Sequence, residues 1–190
     1  MRWIVAVICL LLIVSVGVAN AKVVETTPHF DITYLSGITP AGASTLGNVL
    51  ENSYETVNRV FGTCPSCHIK VLVVGKKAMD SVGEHVEAFS AWNQKSSAIV
   101  LRESSINDKK SLAVVTKHEI THLALNNILE NKKNDEFEWM QEGTAMLISR
   151  EPLDDQKISR YIVSKGFLTP SEIQPAVDSD KYDVTKNGYF

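Results

Sequence analysis

Two histidines and a glutamate stand close together in the stretch His118-Glu119-Ile120-Thr121-His122, and their types and spacing could bind a metal ion. Residues four apart in an α-helix lie on one face, so both imidazoles can reach one zinc ion at about 2.0–2.1 Å. The side chain of Glu119 is rotated from that of His118 by roughly 100°, because the helix has about 3.6 residues per turn. A carboxylate beside the ion can accept a proton from metal-activated water. The motif therefore predicts a zinc site with Glu119 as catalytic base.

Most residues around this motif are apolar, which indicates a buried helix; they are Val114, Val115, Ile120, Leu123, Ala124 and Leu125. One alternative is a metal-free structural domain, with two ordinary histidines on a helix face and a glutamate that points to solvent. Burying two imidazoles and a carboxylate without partners would cost several kcal/mol. A zinc ion would supply that partner, so the apolar surroundings favour the metal site.

A third ligand is expected from a different element, because catalytic zinc sites usually have three protein ligands and one water. Glu142 follows His122 by 142 − 122 = 20 residues. This span allows the first helix to end and a second helix to return and present Glu142. Gly143, next to it, allows close backbone approach. We expect one zinc ion bound by His118, His122 and Glu142.

The motifs His118-Glu119-x-x-His122 and Trp139-x-x-Glu142-Gly143-x-Ala145 together resemble those of the gluzincin metallopeptidases. The similarity is to bacterial peptidase MA-like domains and, more distantly, to M1 aminopeptidases. The resemblance implies a zincin-like fold, Zn²⁺ as the one cofactor, a peptide or protein substrate, and peptide-bond hydrolysis by zinc-bound water that Glu119 activates. It also implies that the strand Ala98–Leu101 is the sheet edge where an extended peptide would pair.

Several departures from the gluzincin pattern bear on activity. The Gly-x-Met-x-Asn strand that binds a free substrate amine in the aminopeptidases is missing, so aminopeptidase activity is not expected. The family stabilises an oxyanion with a tyrosine or histidine after the third ligand, and the candidates here are Tyr161, Tyr182 and Tyr189. Only 190 − 150 = 40 residues follow Arg150, which is short for this family. The alternatives are an active endopeptidase and a zinc-stabilised, non-catalytic peptide-binding domain.

The predicted order of strands and helices indicates an α+β fold. In this fold a small mixed sheet packs on the helix that carries the histidines. Periodicity and turn residues predict strands at Phe30–Leu35, Ile69–Val74 and Ala98–Leu101, and helices at Ala43–Phe61, within Lys76–Gly83, and at Ser111–Glu130, Glu138–Arg150 and Asp154–Lys165. Asp108 or Ser111 is expected near the start of the histidine-bearing helix. Glu84–Ser97 shows no clear periodicity.

The first 21 residues have the pattern of a secretory signal peptide. Arg2 precedes an apolar run of 16 residues, Trp3 to Val18, and the small-x-small segment Ala19-Asn20-Ala21 follows. The alternative is an uncleaved N-terminal anchor, but the run is shorter than the roughly 20 residues that a spanning helix needs. We expect cleavage after Ala21, one secreted or extracytoplasmic domain at 22–190, and no stable membrane insertion unless the segment is retained.

Composition and the remaining candidate residues exclude other functions. The net charge is −3 without a basic stripe, so nucleic acid is not an expected partner. Cys64 and Cys67 lie between a predicted helix and a predicted strand, the reverse of the thioredoxin order, which favours a structural disulfide or idle thiols. The other three histidines lack partners at ligand spacing and are expected to be surface or hydrogen-bonded residues: His29, His68 and His85.

Overall fold

The computed structural model describes residues 22–35, 43–64, 68–83, 86–93, 96–129 and 138–152, with a few further positions between 156 and 172. The chain divides into two units, Met1–Asn131 and Lys132–Phe190. The predicted signal segment, residues 1–21, lies outside the described residues. In the described part of the chain, no helix combines the length and apolar character that crossing a bilayer requires.

In its described residues, the first unit contains a mixed sheet of five strands. Along the chain they are β1 (Lys22–Thr26), β2 (Phe30–Tyr34), β3 (Ile69–Val74), β4 (Ala88–Asn93) and β5 (Ser96–Arg102). Their order across the sheet is β1-β2-β3-β5-β4. The three central strands are parallel, whereas β1 and β4 run antiparallel to their neighbours.

Helices follow three of the strands in this unit and confirm the α+β class. They are α1 (Ala43–Phe61), α2 (Lys76–Asp80) and α3 (Lys109–Ile128), and a 3-10 turn at Glu103–Asn107 leads into α3. The predicted bounds of α1 and β3 are confirmed. α1 ends where Gly62 takes a φ of +66°, a conformation that glycine adopts without steric cost. α3 begins after Asp108, whose carboxylate accepts the backbone N–H of Lys110 at 3.0 Å.

Alternating residues of the central strands form the main core on one face of the sheet. The strands and the helices both contribute fully buried residues to this core. Those of the strands are Phe30, Ile32, Ile69, Val71, Ile99 and Leu101, and those of the helices are Leu46, Leu50, Leu112, Ile120 and Leu123. A smaller cluster of Val74, Met79 and Val100, with Phe89 packed against it, covers part of the other face. Because both faces of β5 are covered, its apolar residues run consecutively instead of alternating.

The prediction that Ala98–Leu101 forms the sheet edge was wrong. The strand exists, as β5, but it is hydrogen-bonded to β3 on one side and to β4 on the other. The outermost strand at that end of the described sheet is β4, which packs against α3. No periodicity indicated β4, because Ala88, Ser90 and Ala91 leave neither face of the strand with an apolar pattern.

The second unit contains α4 (Glu138–Ser149), which confirms the helix predicted at Glu138–Arg150 to within one residue. Pro152 follows its end, as expected for a residue that cannot continue a helix. Most of the helix predicted at Asp154–Lys165 lies outside the described residues.

Candidate metal centre

The helix that carries the two histidines is buried or partly buried from Leu112 to Asn126. Leu112, Ile120, Leu123 and Ala124 of α3 are almost fully inaccessible to solvent. The hydroxyl groups of its two buried threonines donate hydrogen bonds to backbone carbonyls of the same helix. Thr116 donates to the Leu112 carbonyl at 2.8 Å and Thr121 to the Lys117 carbonyl at 2.7 Å. Because α3 is packed against the sheet and its buried hydroxyl groups are hydrogen-bonded, it holds the side chains of its remaining face in fixed positions.

The imidazoles of His118 and His122 face each other on one turn of α3. Their Nε2 atoms are 3.0 Å apart, and the ring planes cross at 66°. Two nitrogens that share a tetrahedral zinc ion at 2.0–2.1 Å lie about 3.3 Å from each other. The observed separation fits a common ion, and it also suits a single N–H···N hydrogen bond between neutral rings. The third donor therefore matters for the choice between these two arrangements.

Glu142, the predicted third ligand, lies on α4 in the second unit. One donor atom each from His118, His122 and Glu142 lie within 4.8 Å of one another, so this group could hold a metal ion. His122 is buried, whereas the other two are partly exposed. Two imidazole nitrogens and one carboxylate oxygen are a donor set that catalytic zinc sites use, with a further position left for solvent. The residues present therefore fit the zinc ion that the sequence predicts.

Glu119 is the buried acidic residue next to this pair. It follows His118 directly on α3, and only 8% of its surface is exposed. In the geometry expected from the motif, the carboxylate lies beside the ligands without replacing one of them. Its role as catalytic base stays a prediction.

The candidate residues for the oxyanion of the reaction are not part of the described structure. Tyr161, Tyr182 and Tyr189 all lie outside the described residues, so the choice between them stays open. The structure instead adds the strand β4, which packs against α3, and the buried Arg102 at the end of β5. The sequence signal for Arg102 was slight, a single cation at the end of an apolar strand, and its burial depends on segments that are distant along the chain.

The histidines outside the motif have ordinary partners where the structure describes them. The Nδ1 atom of His29 is 2.7 Å from Glu51 Oε2, and its ring stacks on Tyr54 at 3.8 Å. The Nδ1 atom of His68 is 3.2 Å from Asp31 Oδ1. These contacts confirm the prediction that they are surface or hydrogen-bonded residues, and His85 lies outside the described residues.

The thiol of Cys64 is buried, and the resulting desolvation raises its pKa to about 11. A redox-active thiol requires the opposite shift, because the thiolate is the nucleophile. The predicted absence of a thioredoxin-type role is thus supported for Cys64. Cys67 lies outside the described residues, so its pairing with Cys64 stays a prediction.

Comparisons with known proteins add no relative to this description. No protein-family model, no curated protein and no solved structure matches the chain. The candidate metal centre consequently depends on the residues of this chain alone, on the short separation of two imidazoles and on the carboxylate grouped with them.

Proposed function

We propose that this protein hydrolyses peptide bonds with one zinc ion bound by His118, His122 and Glu142, and with Glu119 as general base. The observation that carries the proposal is the group of three donor atoms, one each from His118, His122 and Glu142, within 4.8 Å of one another. The carboxylate of Glu142 completes a donor set of the catalytic zinc type. The buried Glu119 next to the pair supplies the additional carboxylate that hydrolysis requires.

In this proposal each residue has a separate task. His118 and His122 are neutral ligands that bind through one ring nitrogen each, and Glu142 adds a negative charge. The ion, when bound, would lower the pKa of a coordinated water and polarise the scissile carbonyl. Glu119 accepts a proton from the attacking water and then donates it to the leaving amide nitrogen. The residue that stabilises the oxyanion is proposed among Tyr161, Tyr182 and Tyr189.

The proposed substrate is an extended peptide or protein segment outside the cytoplasm. The strand β4 ends the described sheet and packs against α3, and in this proposal its outer edge offers backbone hydrogen bonds to the extended peptide. The signal-peptide pattern of residues 1–21 supports export of the remaining chain. The assignment of a peptide substrate depends on the hydrolytic role of the site, whereas export depends on the signal-peptide pattern alone.

The decisive experiment compares zinc content and peptide cleavage in the unchanged protein and in Glu119→Gln. We expect one zinc per chain in both proteins by elemental analysis, since Glu119 is not a ligand. Cleavage of a peptide library should fall by about 10²–10⁴-fold in Glu119→Gln, the usual contribution of a general base. His118→Ala serves as the matched ligand variant and should lose both zinc and cleavage.

Other outcomes of this experiment would replace the proposal. A folded protein that contains no zinc would indicate a metal-free structural domain. A zinc-loaded protein that binds peptides by calorimetry but does not cleave them over hours would indicate the non-catalytic peptide-binding alternative. Unchanged cleavage in Glu119→Gln would show that another group activates the water.

A further inference from the structure

The last residue of β5 is an arginine whose charged side chain is almost completely buried. Only 5% of the Arg102 side chain is exposed. An unpaired guanidinium at such a position would be strongly unfavourable, so its N–H groups must find acceptors within the protein. The acceptors that it uses identify which segments it holds together.

The guanidinium binds the end of α2 and the connection that leads from α2 to β4. Its Nη1 donates to Asp80 Oδ1 at 2.8 Å, and its Nε donates to the Val86 carbonyl at 2.9 Å. A longer contact joins Nη2 to the Gly83 carbonyl at 3.5 Å. Asp80 is also paired with Lys76 on α2. A planar, forked donor suits this arrangement of one carboxylate and two carbonyls.

Glu87, the residue directly before β4, contacts the end of β5 and the 3-10 turn that follows it. Its carbonyl accepts the backbone N–H of Arg102 at 2.8 Å, and its carboxylate lies 3.7 Å from Arg102 Nε. The same carboxylate accepts a hydrogen bond from the hydroxyl of Ser105. Ser105 lies in the 3-10 turn that leads into α3. The start of β4 is thereby joined to the start of the helix that carries the histidine pair.

The side chains of β4 specify its register only in part. Ala88, Ser90 and Trp92 alternate along the strand with Phe89 and Ala91, so each face carries one aromatic residue among small or polar ones. A slip by one residue would move Phe89 away from the cluster of Val74, Met79 and Val100, so Phe89 also contributes to the register. The antiparallel pairing begins with Ala88 opposite Leu101, directly beside Arg102, and the contacts of Arg102 hold the chain just before this first pair.

We propose that Arg102 is a positioning residue for the substrate, which fixes the register of β4 and so the edge that an extended peptide would pair with. This inference rests on the proposed function. It assigns to Arg102 an effect on substrate affinity, whereas the chemical step belongs to residues of α3 and to Glu142. Arg102 therefore contributes to KM and not to kcat.

The test uses the zinc-loaded full chain and the variant Arg102→Lys, which keeps the charge but lacks the forked donor. With an internally quenched extended peptide, KM should rise about tenfold while kcat stays within about twofold. Zinc content should not change. Amide hydrogen exchange should become about tenfold faster in Ala88–Asn93 but not in α3, because only the strand loses its constraint.

Two further variants test whether the effect is specific to the hydrogen bonds of Arg102 with Asp80, Gly83 and Val86, which we call the clamp. Arg59→Lys changes an exposed arginine of α1 in the same way and should leave KM, kcat and exchange unchanged. If Arg102→Lys fails to fold, Asp80→Asn weakens one contact of the guanidinium, together with the pair between Asp80 and Lys76, and should move KM and β4 exchange by about two- to threefold in the same direction. No movement in that variant would overturn the proposal.

The remaining outcomes separate this proposal from the proposed function. Unchanged KM and unchanged β4 exchange in folded Arg102→Lys would overturn the positioning role, as would a loss of kcat at constant KM. If the unchanged protein cleaves no peptide, the proposed function fails. Amide hydrogen exchange of β4 in Arg102→Lys is then the measurement that tests the clamp. Faster exchange confined to β4 would then support it, and equal exchange would overturn it.

Discussion

Two side chains of the first unit, Glu119 and Cys64, are buried to nearly the same extent, with 8% and 7% of their surfaces exposed. The two residues differ in the groups that surround them. Glu119 directly follows His118, which together with His122 and Glu142 could hold a metal ion, whereas desolvation is the cause that acts on the thiol of Cys64. A pKa of about 11 leaves roughly 0.1% thiolate at pH 8, so Cys64 should react as an inert core residue.

Alkylation tests this prediction for Cys64. In a Cys67→Ser variant, iodoacetamide at pH 8 should modify Cys64 far more slowly in the folded protein than in the denatured protein. Mass spectrometry of the peptide that contains Cys64 measures the two rates, and the denatured sample is the control. Similar rates in both states would contradict the burial of the thiol and its raised pKa.

At the scale of elements, a buried pair of hydroxyl groups connects α1 with α3. Ser53 Oγ and Thr116 Oγ1 are 2.9 Å apart, and both residues are almost fully buried. Thr116 already donates its proton to the Leu112 carbonyl, which can only accept, so Ser53 is the donor in the contact between the helices. A second contact, from Asn127 Nδ2 to Thr63 Oγ1 at 2.8 Å, joins the end of α3 to the residues after α1. The two helices thus run in the same direction.

This donor order predicts unequal effects of two substitutions on the free energy of unfolding. Thr116→Val removes two hydrogen bonds and leaves the Ser53 hydroxyl buried without its acceptor, which should cost about 1–3 kcal/mol. Ser53→Ala leaves Thr116 bonded to Leu112 and should cost only about 0.5–1.5 kcal/mol. Urea unfolding of both variants and of the double variant measures the difference. A larger loss for Ser53→Ala would contradict the donor assignment.

At the scale of the whole molecule, the stability of the first unit should depend on pH through Glu51. Partial burial raises the pKa of Glu51, but hydrogen bonds from the His29 ring, the Thr27 hydroxyl and the His29 backbone N–H outweigh it, so the pKa is lowered overall. The folded state therefore releases this proton at a lower pH than the unfolded state does. The stabilisation is present above the unfolded value of about 4.3 and is lost as the pH falls through the folded pKa.

The variant Glu51→Gln tests this dependence. At pH 7 it should lower the free energy of unfolding by about 1–2 kcal/mol, because bonds to a charged acceptor are lost. Below about pH 4.3 its stability should fall less steeply than that of the unchanged protein. Glu55→Gln, at an exposed position of the same helix, is the matched control and should keep the original slope. Equal slopes for all three proteins would contradict the role of Glu51.

Much of the secondary structure followed from local patterns, and the failures have specific physical causes. α1 has apolar residues at three- and four-residue steps over five turns, and β3 is β-branched at Ile69, Val71, Val73 and Val74, so both were predicted with their observed bounds. β4 was missed because its small residues form no pattern. β5 was placed at the wrong position in the sheet, because strand order depends on pairing between distant segments.

The sequence by itself determined that His118 and His122 share one helical turn with Glu119 between them, because the period of the helix places residues four apart on one face. It also identified the helix that carries Glu142. Only the tertiary structure decided that β4 and not β5 ends the described sheet, and that Arg102 is buried among carbonyls and carboxylates. Both depend on contacts between segments far apart in the chain, which no local periodicity encodes.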